Sequence, residues 1–128
     1  MNLEKVIFGF VVVLAATLNF GFFVGDLDNP HLHNPAELYF SVVVNVIALV
    51  LKFGDRTQMG AVHLATSLVA VLQLLGSAGV YVFATQYYSE GLSADMIATV
   101  VSLAGGALLA NLVSITLLVV ETVSFQRR

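Results

Sequence analysis

The sequence contains no cysteine and no tryptophan, and it has few charged residues. Because there is no cysteine, disulfide bonds, iron–sulfur clusters and thiol chemistry are excluded. Charged residues make up 10% of the 128 positions, whereas an average soluble domain carries about 25%. The hydrophobic share is 59%, which leaves too few polar residues for a surface that faces water. We therefore expect an integral membrane protein.

Signatures of several other functions are also missing. The net charge is −3 and no stretch is strongly basic, so nucleic acid is not an expected partner. The glycine-rich motifs that hold phosphate groups, including Gly-x-Gly-x-x-Gly, do not occur. No pair of acids, no nucleophile with a base and no set of three metal ligands lies within a long apolar segment. The sequence therefore predicts neither an enzyme nor a bound cofactor.

Charged residues divide the chain into four long apolar segments. A helix of about 20 residues is needed to cross the hydrocarbon layer of a membrane. The second segment is the shortest, because only residues 38–51 lack charge, and it needs Glu37 and Lys52 to extend toward the membrane surfaces. The prediction is an all-α membrane protein, with one domain over residues 1–128. Its four transmembrane helices are expected at about residues 6–25, 36–53, 59–85 and 95–121.

The basic residues predict how these helices are oriented. In a four-span topology every Lys and Arg falls on the same side of the membrane, and cytoplasmic loops carry the excess of positive charge. Both termini are therefore expected in the cytoplasm. The opposite side carries acidic residues and no Lys or Arg. The five basic residues are Lys5, Lys52, Arg56, Arg127 and Arg128.

Polar residues recur at three- and four-residue steps inside the predicted helices, so they share one face of a helix. Two interpretations remain open at this point. The residues form packing contacts, since interhelical hydrogen bonds in membranes contribute about 0.6 kcal/mol each, or they line a solvated path for ions. The residues concerned are Asn19, Asn45, His63, Thr66, Ser67, Gln73, Ser77, Asn111 and Ser114.

His63 is the ionisable residue of this set. An ionisable side chain at membrane depth is a functional candidate, and an imidazole can carry a proton near neutral pH. The alternative is a neutral imidazole that is hydrogen-bonded to Asn45, Asn111 or a backbone carbonyl. No Asp, Glu, Lys or Arg is expected at mid-membrane, which argues against a transporter coupled to an ion through a buried carboxylate.

Charged residues also gather at the predicted cytoplasmic ends of the helices. They can form a set of ion pairs, and exposed pairs of this kind contribute about 0–1 kcal/mol each. The set either fixes the helix ends or gates a pore. Its members are Lys52, Asp55, Arg56 and Glu121.

Residues 25–37, with the sequence GDLDNPHLHNPAE, connect the first two predicted helices. Asn34, Pro35 and Glu37 follow the pattern of an N-cap residue, a first-turn proline and a capping-box acid. This pattern predicts that the second helix starts here.

The acids and histidines of the same segment point to an ion site on the outer side. Asp26, Asp28 and Glu37 would form an acidic rim that concentrates cations. His31 and His33 stand two residues apart, and together with these acids they could bind Zn²⁺ or Cu²⁺. We predict the rim, with the histidine metal site as a further hypothesis.

Two stretches carry a resemblance to a known family. Residues 18–30 (LNFGFFVGDLDNP) and 51–70 (LKFGDRTQMGAVHLATSLVA) resemble a small uncharacterised family of four-helix inner-membrane proteins of Gram-negative bacteria. The resemblance implies a multi-pass protein of the bacterial inner (plasma) membrane. It implies a fold and a location, and no chemistry.

A second resemblance involves residues 37–43 (ELYFSVV) and 53–55 (FGD), which are similar to the pore helix and filter end of potassium channels. It would make part of the second helix a re-entrant segment. The sequence departs from the channel filter where Val50 replaces the threonine, Lys52 the first glycine and Phe53 the tyrosine. A ring of lysines would repel cations, so the resemblance implies a degenerate pore segment.

Two functions from different classes fit these features. The first is a homo-oligomeric channel-like or passive ion-transport protein with an acidic outer mouth, which carries an inorganic cation across the lipid bilayer. The alternative is an accessory or structural subunit that packs against a larger membrane transport complex and has no chemistry of its own. Small-residue helix faces suit self-association as well as packing against a larger membrane-protein partner.

Overall fold

A computed structural model describes residues 3–25, 33–55, 57–87 and 93–126. Within these ranges the chain is all-helical, as the hydropathy pattern predicts, and has no strand. All four helices are long and apolar enough to cross a membrane. In chain order they are α1 (Leu3–Phe23), α2 (Pro35–Lys52), α3 (Gln58–Tyr87) and α4 (Ala94–Gln126).

The start of α2 confirms the N-cap and the first-turn proline of the predicted pattern. Asn34 is the N-cap residue, and its Oδ1 accepts a hydrogen bond of 2.9 Å from the backbone N–H of Ala36. Pro35 occupies the first helical turn, where its missing N–H has no intrahelical partner to lose. The Glu37 side chain takes a different place, against Gly21 of α1.

The end of α2 is a tight turn. The Phe53 N–H donates to the carbonyls of Leu49 and Val50 at 3.1 and 3.2 Å. Gly54 follows with φ of +105°, a conformation that glycine adopts without the strain of a Cβ. The helix of 18 residues spans about 27 Å at 1.5 Å per residue, and the Phe53-Gly54-Asp55 stretch returns the chain to α3.

The longer helices α3 and α4 begin at side-chain caps. The Thr57 hydroxyl accepts a 2.9 Å hydrogen bond from the N–H of Gly60, and the Ser93 hydroxyl accepts one of 3.2 Å from the N–H of Met96. At its other end α4 continues to Gln126, five residues beyond the end predicted from the sequence near residue 121. Hydropathy marks the apolar part of a helix, and the backbone hydrogen bonds continue past it.

The helices form an antiparallel bundle in which each one packs mainly against two neighbours. The pairs in contact are α1 with α2, α2 with α3, α3 with α4, and α4 with α1. Along α3 and α4 the register is constant: His63 meets Ser114, and the Ser77 hydroxyl donates a 2.6 Å hydrogen bond to the carbonyl of Val100. Neighbouring side chains therefore lie at matched depths.

The bundle has two chemically different ends. The start of α1, the connection between α2 and α3 and the last turns of α4 lie together, and this is called the Lys5 end. The end of α1, the start of α2, the end of α3 and the start of α4 make the opposite end, called the His33 end.

Two apolar clusters fill the core, one toward each end. Toward the His33 end, Phe22, Leu38, Leu74 and Ile97 of the four helices are fully buried together with small residues of α4. Toward the Lys5 end, the second cluster centres on α1 and α2. Its buried members are Phe8, Val11, Val12 and Ala48, with Ile115 and Leu118 of α4 packed against them.

Large apolar side chains cover the outside of the bundle. Phe10 is 68% exposed, Leu72 61% and Leu109 65%, and many other valines, leucines and phenylalanines are exposed with them. Soluble monomers rarely expose apolar patches larger than a few hundred Å². This surface suits contact with hydrocarbon.

Close contact between α1 and α4 makes a prediction for stability. A Cβ on Gly105 would lie 2.7 Å from Cε1 of Phe23, whereas a Cβ on Gly79 would meet nothing within 4 Å. We expect Gly105→Ala to lower the free energy of unfolding by about 1–3 kcal/mol, because the Phe23 ring must move. Gly79→Ala is the matched control and should leave stability unchanged or raise it by about 1 kcal/mol.

The measurement is detergent-induced unfolding followed by circular dichroism. Equal stability of the two variants would show that the Phe23 ring does not limit how closely α1 and α4 approach.

Candidate functional site

Most of the predicted polar-path residues point into the interior of a single bundle. Asn19, Asn45, His63 and Ser77 are 0% exposed, and the others of the buried group are 4% exposed or less. Thr66 and Gln73 are half-buried at the edge. The remaining buried members are Ser67, Asn111 and Ser114.

The antiparallel contacts place many of these side chains at one depth. The Glu37 carboxylate lies against Gly21. Asn19, two residues before Gly21, and Ser41, four residues after Glu37, therefore lie within about 3 Å of the same depth. Asn45 follows one turn later, and its Nδ2 donates a 2.8 Å hydrogen bond to the carbonyl of Ser41.

The other two helices complete the same layer. His63 of α3 meets Ser114 of α4, and Ser67 and Asn111 lie about one turn from this contact. All four helices therefore contribute to a buried polar layer between the two apolar clusters. This layer, the polar belt, consists of Asn19, Ser41, Asn45, His63, Ser67, Asn111 and Ser114.

The polar belt has unused hydrogen-bonding capacity. An unpartnered buried polar group costs about 1–3 kcal/mol, and such groups commonly bind water or an ion instead. Neither amide atom of Asn19 has a partner within the described part of the chain. The same holds for Ser41 Oγ, Asn45 Oδ1, His63 Nε2 and Asn111 Nδ2.

His63 connects the polar belt to the Lys5 end. Its Nδ1 lies 2.8 Å from the Ser114 hydroxyl, so the partner is a serine and neither of the expected asparagines. Its Nε2 faces Oε2 of Glu121 at 3.7 Å. The Phe8 ring meets the imidazole edge-on, with 5.0 Å between the ring centroids.

The charged residues at the Lys5 end form two pairs. Lys52 Nζ lies 3.5 Å from Oδ2 of Asp55, and also 4.3 Å from the centroid of the Phe8 ring, a cation–π contact. Glu121 Oε1 lies 2.5 Å from Nζ of Lys5. Arg56, the fourth residue of the predicted set, lies outside the described residues.

Sequence reasoning missed Lys5 and Phe8 as members of this site. Lys5 and Glu121 are 116 positions apart, and the charge pattern placed Lys5 on the same side of the membrane without pairing it. The signal that could have found the pair is the antiparallel arrangement of α1 and α4, which brings the first turn of α1 beside the last turns of α4.

A pocket of ≈ 550 Å³ opens at the Lys5 end. Glu121 lines this pocket, and its Oε2 faces Nε2 of His63. The Glu121 carboxylate is therefore the contact between the pocket and the polar belt. The pocket is lined by Glu4, Lys5, Leu51, Lys52, Phe53, Gly54, Asp55, Thr57 and Glu121.

Asp55 is held in its ionised form by its neighbours. Its Oδ1 accepts a 2.7 Å hydrogen bond from the Thr57 hydroxyl and a 3.0 Å bond from the Thr57 N–H. These hydrogen bonds, with a smaller contribution from Lys52, lower the pKa of the Asp55 carboxyl group. A Cβ on Gly60 would overlap this carboxylate, so glycine leaves the space for it.

At the opposite end, His33 is part of the fold. It is 2% exposed, and its Nδ1 lies 2.6 Å from the carbonyl oxygen of Phe22. Because a carbonyl can only accept, the ring donates, and it satisfies a carbonyl in the last turn of α1. The two rings are also in contact, with 5.6 Å between their centroids.

The predicted acidic rim and metal site fall largely outside the described residues. Asp26, Asp28 and His31 are not described. Among the residues that are, no group of three or more His, Cys, Asp or Glu side chains could hold a metal ion. Metal binding through His31 and His33 therefore stays a prediction.

Comparison with known proteins places the chain in a family. Residues 32–122 match DUF6394, a family of unknown function. The chain belongs to this family. The matched region covers α2, α3 and nearly all of α4, and hence most of the polar belt. No curated protein and no solved structure matches the chain.

Asp55 makes a prediction for pH dependence. Since its native pKa is lowered, its hydrogen bonds stabilise the fold above the pKa of the unfolded state, about 3.9, and this contribution is lost as the pH falls through the native pKa. We expect Asp55→Asn to be less stable than the wild type at neutral pH, with the difference shrinking below about pH 4.

Unfolding curves at neutral and acidic pH test this expectation. Thr57→Ser keeps the hydroxyl and the N–H, so it should follow the wild type at both. A stability difference for Asp55→Asn that does not change with pH would contradict the assignment.

Proposed function

We propose that this protein is a small multi-pass protein of the bacterial inner membrane that passes a small cation passively across the bilayer and associates with copies of itself. The polar belt supports this proposal most directly. It brings buried polar side chains from four apolar helices together, and it leaves several of their hydrogen-bonding atoms unpartnered within the described residues. Polar groups at membrane depth are expensive and mark ion pathways.

The unpartnered atoms favour a path over packing contacts. A polar residue that holds helices together does so by a hydrogen bond between them. Asn19 makes none with either amide atom within the described part of the chain, and the Asn45 side chain bonds a carbonyl of its own helix. These amides are better suited to a small polar guest.

The belt also indicates where the path runs. Its side chains lie inside one bundle, so the proposed path follows each protomer and not an axis between copies. Glu121 gives access from the pocket at the Lys5 end. Toward the His33 end, Phe22, Leu38 and Leu74 close the core, so conduction requires these side chains to move.

We propose that the Lys5 end faces the cytoplasm. Lys5 and Lys52 lie there, and the sequence assigns Arg56, Arg127 and Arg128 to the same side, in agreement with the charge rule. Asp26, Asp28 and Glu37 would then form the outer mouth and raise the local cation concentration.

Labelling of single cysteines tests this orientation, because the natural chain has none. Gln86 and Ser124 are exposed, near the His33 end and the Lys5 end respectively. We expect an impermeant maleimide to label Gln86→Cys in intact cells and Ser124→Cys only after lysis. The reverse pattern would overturn the proposed orientation.

Flux through reconstituted protein tests the proposed transport. Wild-type protein in liposomes should accelerate the decay of at least one cation gradient among H⁺, Na⁺ and K⁺. Asn111→Leu should slow it by removing a belt amide, whereas Thr116→Leu, on the exposed face of the same helix, should not. Neutralising Asp26, Asp28 and Glu37 together should also lower the flux. Absence of flux for all three cations would refute transport.

An accessory subunit is the second candidate, and one surface favours it. Between α3 and α4 lies an open apolar groove of ≈ 350 Å³. Several of its lining residues are small, and small residues let another helix approach closely. Purification in mild detergent separates the candidates: a larger partner in fixed stoichiometry supports the subunit, and a symmetric oligomer supports self-association. The groove is lined by Ala65, Thr66, Val69, Gly106, Leu109, Ala110 and Val113.

A further inference from the structure

We infer that the ion this protein carries is the proton, and that His63 binds it with Glu121 as its counter-ion, loaded from the pocket at the Lys5 end. The inference rests on the proposed transport function and names the ion. It follows from the contacts that join the pocket, Glu121 and His63.

The chemistry of the polar belt distinguishes a proton from a metal cation. The belt residues other than His63 are serines and asparagines, whose side chains stay neutral. A metal cation bound among these serines and asparagines would be a buried charge held by neutral groups alone, which is unfavourable. A proton forms a covalent bond to the imidazole, and the resulting charge lies beside Glu121.

The geometry at His63 is suited to accepting a proton. When Nδ1–H donates to the Ser114 hydroxyl, Nε2 carries the lone pair. Nε2 is buried, has no hydrogen-bond partner within the described residues, and faces Oε2 of Glu121 at 3.7 Å. A small movement of the carboxyl group brings the two atoms within hydrogen-bonding distance.

The transfer moves one proton and leaves no other product. A hydronium ion that reaches the pocket gives its proton to the Glu121 carboxylate and becomes water. The O–H bond of Glu121 then breaks as the N–H bond at Nε2 of His63 forms. The products are an imidazolium and a carboxylate beside each other, and Glu121 can accept the next proton after the imidazolium has released one to water on the side of the polar belt.

Two lysines near the pair of His63 and Glu121 orient the carboxylate and favour release of the proton. Lys5 of α1 holds Oε1 of Glu121 at 2.5 Å, which leaves Oε2 facing the imidazole. Lys52 of α2 lies over the ring of Phe8, the same ring that meets His63 edge-on. Its positive charge opposes that of the imidazolium and favours release.

Two further acidic residues lie near the pair of His63 and Glu121. Asp55, before α3, lies 3.5 Å from Nζ of Lys52 and partly offsets its charge. Glu4 of α1 lines the same pocket. Each of the four helices, or the connection beside it, therefore presents a charged or titratable group to the site.

Proton flux into liposomes that hold a pH-sensitive dye tests the inference with the full chain. Valinomycin and K⁺ keep the membrane potential constant. We expect His63→Gln and Glu121→Gln each to lower proton flux by about a hundredfold, the lower limit for a positioned proton-transfer residue. Asp95→Asn, an exposed acid at the start of α4, should match the wild type.

A second readout follows the proton on His63 itself. In ¹⁵N-histidine protein, the NMR signals lost in His63→Gln identify that residue among the three histidines. We expect its Nε2 signal to change from the neutral to the protonated form as the pH is lowered. This transition should change in Glu121→Gln and stay as in the wild type in Asp95→Asn. If His63→Gln does not fold, Glu121→Asp, which keeps a carboxylate, is the variant to measure in its place.

The outcomes separate this inference from the function beneath it. Flux of Na⁺ or K⁺, with proton flux unaffected in both variants, would overturn the proton assignment and leave transport standing. An Nε2 signal that does not respond to pH would also overturn it. Absence of flux for every cation would remove both proposals.

Discussion

The constant register between α3 and α4 is the constraint on which the rest of the structure depends. It is held by the contact of His63 with Ser114 and by the hydrogen bond from Ser77 to the carbonyl of Val100. Glu121 lies about two turns beyond Ser114 on α4, so the same register brings its carboxylate beside the imidazole of His63. A shift by one residue along either helix would separate this pair and disconnect the polar belt from the pocket at the Lys5 end.

The polar belt lowers the stability of the bundle, whereas the apolar clusters on both sides of it raise the stability. Above and below, the core consists mainly of the apolar clusters around Phe22 and Phe8. Between them, buried amide and hydroxyl atoms have no partner among the described residues. Each lowers the stability of the bundle by about 1–3 kcal/mol, an arrangement that is understandable if the belt binds a proton, water or an ion. The proposed function therefore rests on the belt.

The local features of this fold were predictable from the sequence. Long apolar segments form helices, because a backbone in hydrocarbon has no water to bond and must form its hydrogen bonds within the chain. The N-caps at Asn34 and Ser93 follow from side chains that reach the next turn. His33 shows the limit of local reasoning. Its imidazole donates to the carbonyl of Phe22, eleven residues earlier in the chain, and its spacing from His31 does not predict this contact.

The sequence by itself determined that there are four apolar helices, that the second starts at the Asn34 cap, and that polar residues recur at helical spacing within them. These properties depend on hydropathy and capping within a few residues. Only the tertiary structure decided that the polar faces meet inside one bundle and that Glu121 lies between Lys5 and His63. Those contacts depend on the register between helices, which is set by close approaches such as Phe23 against Gly105 and Gln73 against Gly106. No single segment contains that information, because register is the sum of packing along whole helix pairs.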